Sequence, residues 1–395
     1  MTVRMIVLAL ALLALLALPS PADAARKMQV AVQDDSLLLY RADEYMSTDT
    51  AYRRLRGINT SRIRMNVLWG YAVTASQRDL RRKPRNVTYD FGHYDRAITN
   101  ARQRGMKVHL ALTGPAPAWA TPKRKLSKGH YKPSVRHYKA FVKAFVRRYK
   151  RQVDRFSIWN EPNWYTWLAP LKKAPRLYRK LYKAGYKVIK RQAPRAQVLL
   201  GELVPYAQRR RAMAPLKFLR KMTCLKPNYR KNRRQTRRHC RGKLRADAVA
   251  HHPYDFDKPP WKKRKGRDNV TIASLGRLTK ALDKMKRRRV LIPRRTRKMP
   301  LHLTEYGYHR SGSRKVRERK RARWTVAAFK IAQENRRVKT MLHYVFVRPP
   351  GGTNFDLSLL NADGSRTRTY NKLRSWTRKA ARQRKIARPG RWRAG

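Results

Sequence analysis

The feature that most constrains the fold is a regular alternation of short apolar strands with amphipathic helices along 395 residues. One helix shows the pattern clearly, because Tyr138, Phe141, Val142, Phe145 and Tyr149 follow helical spacing. Eight predicted strands cover residues 28–34, 62–69, 107–113, 153–160, 197–203, 247–252, 301–305 and 340–347. Strands that alternate with helices in this way predict an α/β protein with a closed parallel (β/α)8 barrel, a TIM barrel.

An open, doubly wound sheet is the rival architecture for the same alternation. A Gly-rich phosphate loop after the first strand would favour it, and the sequence has none there. No Ser/Gly-rich or Pro-rich linker and no internal repeat divides residues 25–376, so we assign them to a single domain. Residues 377–395 contain eight cations and no acid, and we treat them as a basic C-terminal tail.

Residues 1–24 have the pattern of a secretory signal peptide. Arg4 provides a positive start, residues 5–18 are apolar, and an Ala-Asp-Ala sequence at 22–24 is a small-residue cleavage site. The apolar run is too short to span a bilayer comfortably, and Pro19 and Pro21 follow it. We therefore expect a secreted protein, extracellular or associated with the cell envelope, with no transmembrane segment after cleavage.

The composition is extremely basic, with 99 Lys and Arg against 22 Asp and Glu and a net charge of +77. Most of these cations cannot pair with an acid and must be solvated. Because the charge is diffuse and no DNA-binding motif is present, we predict no sequence-specific nucleic-acid binding. Compositional bias and non-specific adhesion to polyanions or to the cell envelope remain the two interpretations.

Glutamate is normally common, yet this chain contains six. Three of them, Glu161, Glu202 and Glu305, lie at or within predicted strands. In a (β/α)8 barrel the active site is built at the carboxyl ends of the strands, and glycosidic hydrolysis usually requires two carboxylates. We predict that Glu161 and Glu305 are catalytic, with simple pairing to surplus Arg as the alternative, and we assign Glu202 a structural role.

The predicted strand ends also supply polar groups and flat rings of the kind that bind sugars. These residues are Asp34, Asp35, Trp69, Thr113, Trp119, Asn160, Glu202, His252, Tyr254, Tyr306 and Phe346. An aromatic ring offers an apolar face to a sugar, although a single ring belongs more often to the core. We predict that the substrate-binding residues are Trp69, Trp119, Trp164, Tyr306 and Phe346.

Cys224 and Cys240 are the two cysteines of the chain. In an exported protein such a pair predicts a disulfide, with free thiols as the less favoured alternative. The Cα atoms should then lie about 4.4–6.8 Å apart. The histidines lack zinc-ligand spacing with the cysteines, so we expect neither a metal nor another cofactor.

The sequence Trp-Asn-Glu-Pro-Asn at 159–163, followed by Thr-Glu-Tyr-Gly at 304–307, resembles clan A glycoside hydrolases. The similarity is to the cellulase-like family 5 and the xylosidase-like family 39, and it covers nearly all of the chain after the signal peptide. The resemblance implies a (β/α)8 barrel and a retaining mechanism. It makes Glu161 the acid/base after the fourth strand and Glu305 the nucleophile that ends the seventh.

The same resemblance implies supporting roles for four further residues. Asn160 matches the amide that holds the 2-hydroxyl of the sugar, and Arg64 resembles the strand-two arginine that supports the nucleophile. His252 and Tyr254 resemble the His-x-Tyr pattern after the sixth strand.

The chain departs from the family pattern at two strand ends. The tryptophan that usually ends strand eight is missing, and Tyr344, Phe346 and Val347 stand there instead. Thr113-Gly114-Pro115 occupies the place where family 5 commonly has a histidine. We expect a secreted, monomeric retaining O-glycosyl hydrolase acting on a poly- or oligosaccharide. A catalytically inactive glycan- or polyanion-binding barrel is the alternative.

Overall fold

The computed structural model describes residues 27–41, 43–44, 46–122, 128–349, 351, 353 and 355–393. The predicted signal peptide lies outside the described residues. Within these residues, no helix combines the length and the apolar character needed to cross a membrane.

Eight parallel strands close into a barrel, which confirms the predicted fold. Numbered in chain order, they are β1 (Gln29–Gln33), β2 (Thr60–Leu68), β3 (Lys107–Thr113), β4 (Arg155–Ile158), β5 (Gln197–Leu203), β6 (Ala248–His251), β7 (Leu301–Leu303) and β8 (Val338–Tyr344). Each strand pairs with its neighbour in sequence, and β1 closes the barrel against β8, with Gln29 opposite Thr340.

Helices surround the barrel on the outside. The longer ones are α1 (Thr48–Gly57), α2 (Gly92–Gln103), α3 (Val135–Tyr149), α4 (Ala174–Gln192), α5 (Pro215–Met222), α6 (Arg233–His239), α7 (Leu275–Arg287), α8 (Glu318–Glu334) and α9 (Arg368–Arg382). Short helical turns cover Ser36–Tyr40, Trp69–Ala72, Ala75–Arg78, Ala118–Ala120 and Ile272–Ser274. A separate pair of parallel strands, Leu244–Ala246 and Leu291–Pro293, was not predicted.

The strand β2 shows how the sequence separates an inner from an outer side of the barrel. Arg62 and Arg64 alternate with Ile63, Met65 and Val67, and all five side chains are fully buried or nearly so. Successive side chains of a strand point to opposite faces, so the arginines enter the barrel while the apolar residues face the helices. The interior of this barrel is therefore polar at positions where branched apolar residues are usual.

Hydrogen bonds satisfy the polar interior near the amino ends of the strands. The Arg155 guanidinium donates to Thr340 Oγ1 at 3.0 Å, to Gln29 Oε1 at 3.1 Å and to Gln197 Oε1 at 2.9 Å. A buried charge of this kind is tolerated when its donors are engaged. Burial lowers the pKa of Arg155, and the nearby charge of Arg62 lowers it further.

The apolar core lies between the barrel and the helices, and aromatic rings dominate the part against α3. Trp69 stacks on Phe141 with ring centroids 5.6 Å apart and meets Tyr138 edge to face. Phe145 continues the cluster toward Tyr149. The helical spacing read from the sequence therefore corresponds to one buried face of α3.

The C-terminal residues pack against the barrel. The predicted boundary at residue 377 falls inside α9, which continues to Arg382. Beyond this helix, Ile386 bridges to Met28, and the amide of Gly390 donates to the Gly105 carbonyl at 2.7 Å. Residues 377–393 are therefore part of the domain in the structure.

The predicted disulfide between Cys224 and Cys240 is present, with the two Cα atoms 6.1 Å apart. It joins the end of α5 to the end of α6. The bond therefore closes the segment that carries the exposed, basic helix α6.

Candidate active site

The segment after β4 carries Glu161 in a conformation that needs support from its surroundings. Trp159 and Glu161 have φ values of +66° and +41°, which few residues with a side chain adopt. The amide of Glu161 donates to the Glu202 carbonyl at 2.9 Å, and the amide of Asn160 donates to Thr113 Oγ1 at 2.9 Å. Neighbouring strand ends thus fix the backbone, and strain of this kind is common at functional sites.

Glu161 and Glu305 converge at the carboxyl end of the barrel, as predicted for residues at these strand ends. Glu161 is 6% exposed and Glu305 is 7% exposed. One carboxylate oxygen of each, together with a ring nitrogen of His252, lies within a cluster whose atoms are at most 4.8 Å apart. Two nearly buried carboxyl groups therefore face one small volume.

Glu305 accepts hydrogen bonds from Arg64 and Tyr254. Arg64 Nη1 donates to Glu305 Oε1 at 3.0 Å, and the Tyr254 hydroxyl donates to Glu305 Oε2 at 3.2 Å. The two hydrogen bonds engage both carboxylate oxygens and fix their orientation. The structure thus brings together Arg64, Tyr254 and Glu305.

Glu161 lies in a different environment. Burial raises its pKa, and the charge of Glu305 adds to the increase, while a hydrogen bond from His252 opposes it. His252 Nδ1 donates to Glu161 Oε1 at 2.9 Å. The two carboxyl groups therefore differ in their partners, as a proton donor and a nucleophile must.

His252 lies between two carboxylates in the barrel interior. Its second ring nitrogen, Nε2, donates to Glu202 Oε2 at 2.8 Å. Burial alone would lower the pKa of His252, but Glu305, Glu161 and Glu202 outweigh it and raise that pKa to about 10. The ring is therefore an imidazolium at neutral pH, and both nitrogens donate.

Glu202 is the site residue whose contribution the sequence did not reveal. It is fully buried and accepts hydrogen bonds from Ser157, Thr304 and His252, with Arg64 Nη2 at 3.3 Å. Burial alone would raise its pKa, but Arg64 and His252 lower it well below the usual range. Glu202 is the permanent anion beneath the site.

A bulge in β5 turns Glu202 inward. Leu199 faces the interior beside Ala248 and Ala250, so strict alternation would send residue 202 outward. The pairing of β5 with β6 shifts register between Gly201 and Leu203, where Gly201 has a φ of +125°. Bulges re-aim side chains in this way and often lie next to active sites.

Arg64 ties the parts of the site together. Besides Glu305 and Glu202, it donates to Asn160 Oδ1 at 2.7 Å and to Gln33 Oε1. With its oxygen engaged, Asn160 has its Nδ2 amino group free of acceptors among the described residues, which suits donation to a ligand hydroxyl. The supporting residues Asn160, Arg64, His252 and Tyr254 are thus all adjacent to Glu161 or Glu305.

Asp34 and Asp35 are neighbours with different surroundings. Asp34 Oδ2 accepts from the amides of Phe346 and Val347 at 3.0 and 2.9 Å, which anchors the loop after β8. Asp35 is partly exposed, and burial raises its pKa to about 7 against the opposing effects of Gln33 and Arg64. Asp35 can therefore exchange a proton near neutral pH at the edge of the site.

Three of the rings predicted to bind substrate belong to the core instead. Trp69, Tyr306 and Phe346 are each 0% exposed. Trp69 follows β2 in phase with the outward-facing residues of that strand, and its ring packs on α3. The Tyr306 hydroxyl donates to the Tyr308 hydroxyl. Phe346 lies against Tyr370 of α9. No ring face is left for a sugar, so these assignments were wrong.

The other two predicted rings, Trp119 and Trp164, are less completely buried. Trp119 is 7% exposed, and its Nε1 donates to the Gln77 carbonyl at 3.0 Å. Trp164 is half-buried, and its amide donates to the Glu161 carbonyl at 2.9 Å. Trp164 is therefore the predicted ring whose backbone is hydrogen-bonded to Glu161, the acid/base candidate.

An aromatic cluster beside Glu305 was not predicted as a substrate surface. Phe355 is 38% exposed and meets Tyr254, Phe256 and Tyr344 at centroid distances of 6.1, 5.6 and 6.0 Å. Tyr254 also contacts Glu305 directly. This cluster gives the site an apolar wall. The sequence feature that could have indicated this wall is Phe355, in the loop after the last strand.

Glu161, His252 and Glu305 could be considered as ligands for a metal ion, since their donor atoms lie close together. His252 is an imidazolium that donates from both nitrogens, to Glu161 and Glu202. A protonated ring offers no lone pair to an ion. The donor set therefore suits proton sharing between side chains better than metal binding.

The fold and the site together define a (β/α)8 barrel with paired carboxylates at its carboxyl end, and solved proteins share this fold. A family 39 glycoside hydrolase from Bacteroides cellulosilyticus WH2 superposes with a TM-score of 0.59 and 15% identity, over 90% of this chain and 64% of that chain. A monomeric β-xylosidase from Caulobacter crescentus CB15 gives 0.59 and 15%, over 91% and 69%. A GH5_18 protein from Bifidobacterium longum subsp. infantis gives 0.55 and 11%, over 89% and 79%.

These comparisons confirm, at the level of fold, the predicted resemblance to families 39 and 5. The chain spans less than two thirds of the length of the Bacteroides protein. No model of a known protein family and no curated protein matches the chain in sequence.

Proposed function

We propose that this protein is a retaining glycoside hydrolase that uses Glu305 as nucleophile and Glu161 as acid/base. The observation that supports the proposal most strongly is the approach of their carboxylate oxygens to within 4.8 Å. Retaining enzymes hold the two carboxyl groups about 5–5.5 Å apart, whereas inverting enzymes need about 6.5–9.5 Å to admit water.

In the first step the Glu305 carboxylate attacks the anomeric carbon, and the bond from that carbon to the leaving oxygen breaks. Glu161 donates its proton to the leaving oxygen, which departs as an alcohol. Hydrogen bonds from Arg64 and Tyr254 hold the Glu305 carboxylate in place for attack. The pKa of Glu161 is raised by burial, a shift in the direction that a proton donor needs. The product of this step is an ester between Glu305 and the sugar.

In the second step water attacks the anomeric carbon and displaces Glu305. Glu161, now a carboxylate, takes one proton from that water as the new carbon–oxygen bond forms. The His252 imidazolium donates to Glu161 and stabilises this ionised form. Two inversions restore the original configuration, so the released sugar keeps the anomeric form of the substrate.

We propose a poly- or oligosaccharide with β-linked sugars as the substrate, following the similarity to a β-xylosidase. Asn160 would donate to a sugar hydroxyl, and Phe355 would supply an apolar wall. We further propose that the protein is a monomer and that it is secreted, extracellular or at the cell envelope; the proposal of secretion follows from residues 1–24. The second candidate, an inactive glycan-binding barrel, has no observation in its favour, since both carboxylates are in place.

The test is a panel of aryl β-xyloside, β-glucoside and β-mannoside together with polysaccharides, assayed by release of phenol or reducing sugar. Proton NMR during the first minutes of hydrolysis should show the β-anomer forming first. The matched control is Glu305→Gln, purified in the same way, which excludes a contaminating glycosidase. Initial release of the α-anomer would contradict the retaining mechanism, and inactivity on the whole panel would favour the binding protein.

A further inference from the structure

A wide groove lies at the opposite end of the barrel from Glu161 and Glu305. It has a volume of about 1270 Å³ and lies beside Lys107 at the start of β3 and Asp154 just before β4. The C-terminal end of α2, the segments that follow α3 and α4, and residues 390–393 complete its walls. The groove is therefore separate from the proposed active site.

The groove is lined by positive charges that acidic residues hardly balance. Seven Lys or Arg residues line it, against Asp154 as the one acid among its described lining residues. Asp154 is already neutralised, because Arg62 binds both of its oxygens at 2.6 and 2.9 Å. A concave surface of one sign focuses the electrostatic field and concentrates counterions. The groove thus differs from the diffuse charge of the convex surface.

The wall formed by residues 390–393 is fixed in place by the backbone. The Arg393 amide donates to the Gln103 carbonyl at 2.7 Å, and Arg56 Nη1 donates to the Gly390 carbonyl at 2.8 Å. Gly105, at φ +73°, allows the close approach, since a Cβ there would lie 2.3 Å from the Gly390 oxygen. The cations at 391 and 393 are therefore held along the groove.

We propose that this groove binds an anionic polysaccharide bearing carboxylate or sulfate groups. The lining amides of Gln103, Gln152 and Gln192 can donate to and accept from hydroxyls between the charged groups. Single-stranded nucleic acids are bound largely by stacking bases on open rings. Trp392 is the one aromatic ring among the described residues of the lining, and the guanidinium groups of Arg56 and Arg104 lie over it. The choice of a glycan among polyanions rests on the proposed function.

Two variants with equal net charge separate the groove from the overall charge. The groove variant changes Lys107, Lys150, Arg151 and Arg195 to Gln, and all four side chains are exposed lining residues. The control variant changes Lys139, Lys143, Lys180 and Lys183 to Gln. These four are exposed on α3 and α4 outside the groove. Thermal unfolding of both variants checks that the fold is retained.

Binding is measured in physiological salt with size-defined heparin and oligogalacturonate, an uncharged xylo-oligosaccharide, and a duplex DNA of similar charge. The groove variant should lose about tenfold or more in affinity for both anionic glycans, and the control variant less than about twofold. The uncharged glycan should not bind the groove. Equal losses in the two variants would overturn the assignment to the groove.

Two further outcomes bear on the partner. If the DNA binds the wild type more tightly than either glycan and loses affinity in the groove variant, the assignment to a polysaccharide is wrong. Because binding is measured without turnover, failure here contradicts the groove assignment alone. Absence of hydrolysis in the substrate panel would contradict the proposed active site alone.

Discussion

The two ends of the barrel use charge in opposite ways. At the carboxyl end, Glu161, Glu202 and Glu305 are buried and each is engaged by cationic or hydroxyl donors. At the amino end, the groove presents exposed cations, and Asp154, the one acid among its described lining residues, is already paired with Arg62. Acids are scarce in this chain, yet three of its six Glu residues lie buried together at the carboxyl end.

The difference teaches that the net charge and the local chemistry of this protein are largely independent. Charges buried among fixed partners are little screened by salt, whereas exposed charges are screened within about 8 Å at physiological ionic strength. Loss of a buried charge should therefore change stability and catalysis. Loss of an exposed cation should change mainly the salt-dependent binding of polyanions.

The largest effect on stability is expected for Glu202→Gln. The change removes the buried anion that faces Arg64 and His252 and leaves two cations with fewer partners. Breaking a buried pair in this way costs about 3–5 kcal/mol in the free energy of unfolding, which denaturant titration would measure. Glu334→Gln, at an exposed position on α8, is the control and should match the wild type. Equal stability of all three proteins would show that the carboxyl end is no more sensitive than the surface.

The pH dependence of stability tests the charge of His252 at the carboxyl end of the barrel. The pKa of His252 in the folded protein is raised to about 10. Its contribution is thus complete below the unfolded value of about 6.5 and is lost as the pH rises through about 10. The stability of the wild type relative to His252→Asn should fall by about 3 kcal/mol between about pH 7 and 9.5. A difference that stays constant over this range would contradict the imidazolium assignment.

A smaller effect is expected for the aromatic wall. Phe355→Ala removes a ring that packs on Tyr254 and Tyr344 and is partly exposed. We expect KM to rise about three- to tenfold with kcat nearly unchanged, because ring contacts of this kind contribute modestly. The control variant with Gln at 139, 143, 180 and 183 should leave KM for an uncharged substrate unchanged. A fall in kcat without a change in KM would mean that Phe355 orders Glu305 instead of contacting substrate.

Much of the barrel could be predicted because its physical signals are local. The alternation of strands and helices gave the fold, and strand ends followed by Glu gave Glu161 and Glu305. The phase of a residue along a strand also predicts which face of the sheet its side chain takes. Trp69 is in phase with Ile63 and Met65, which face the helices, and this would have placed its ring in the core.

Other features could not be predicted because they depend on departures from regular geometry. Glu202 turns inward through a shift of register in β5, and no alternation pattern encodes that shift. The link from Glu202 through His252 to Glu161 joins three separate strand ends. Similarly, the fixed wall of the groove depends on the contact of Gly390 with Gly105, far apart in the sequence.

The most direct test of the central claim compares Glu161→Gln with Glu305→Gln on an activated aryl glycoside, with and without azide. Glu305→Gln should lose at least about 10⁴-fold in kcat, and azide should not rescue it, because no nucleophile remains to form the intermediate. Glu161→Gln should still form the glycosyl-enzyme, since a phenol of low pKa leaves without a proton donor. Azide should then restore its turnover and release a β-glycosyl azide. Equal loss in both variants without rescue, or full activity in either, would contradict the roles assigned to Glu161 and Glu305.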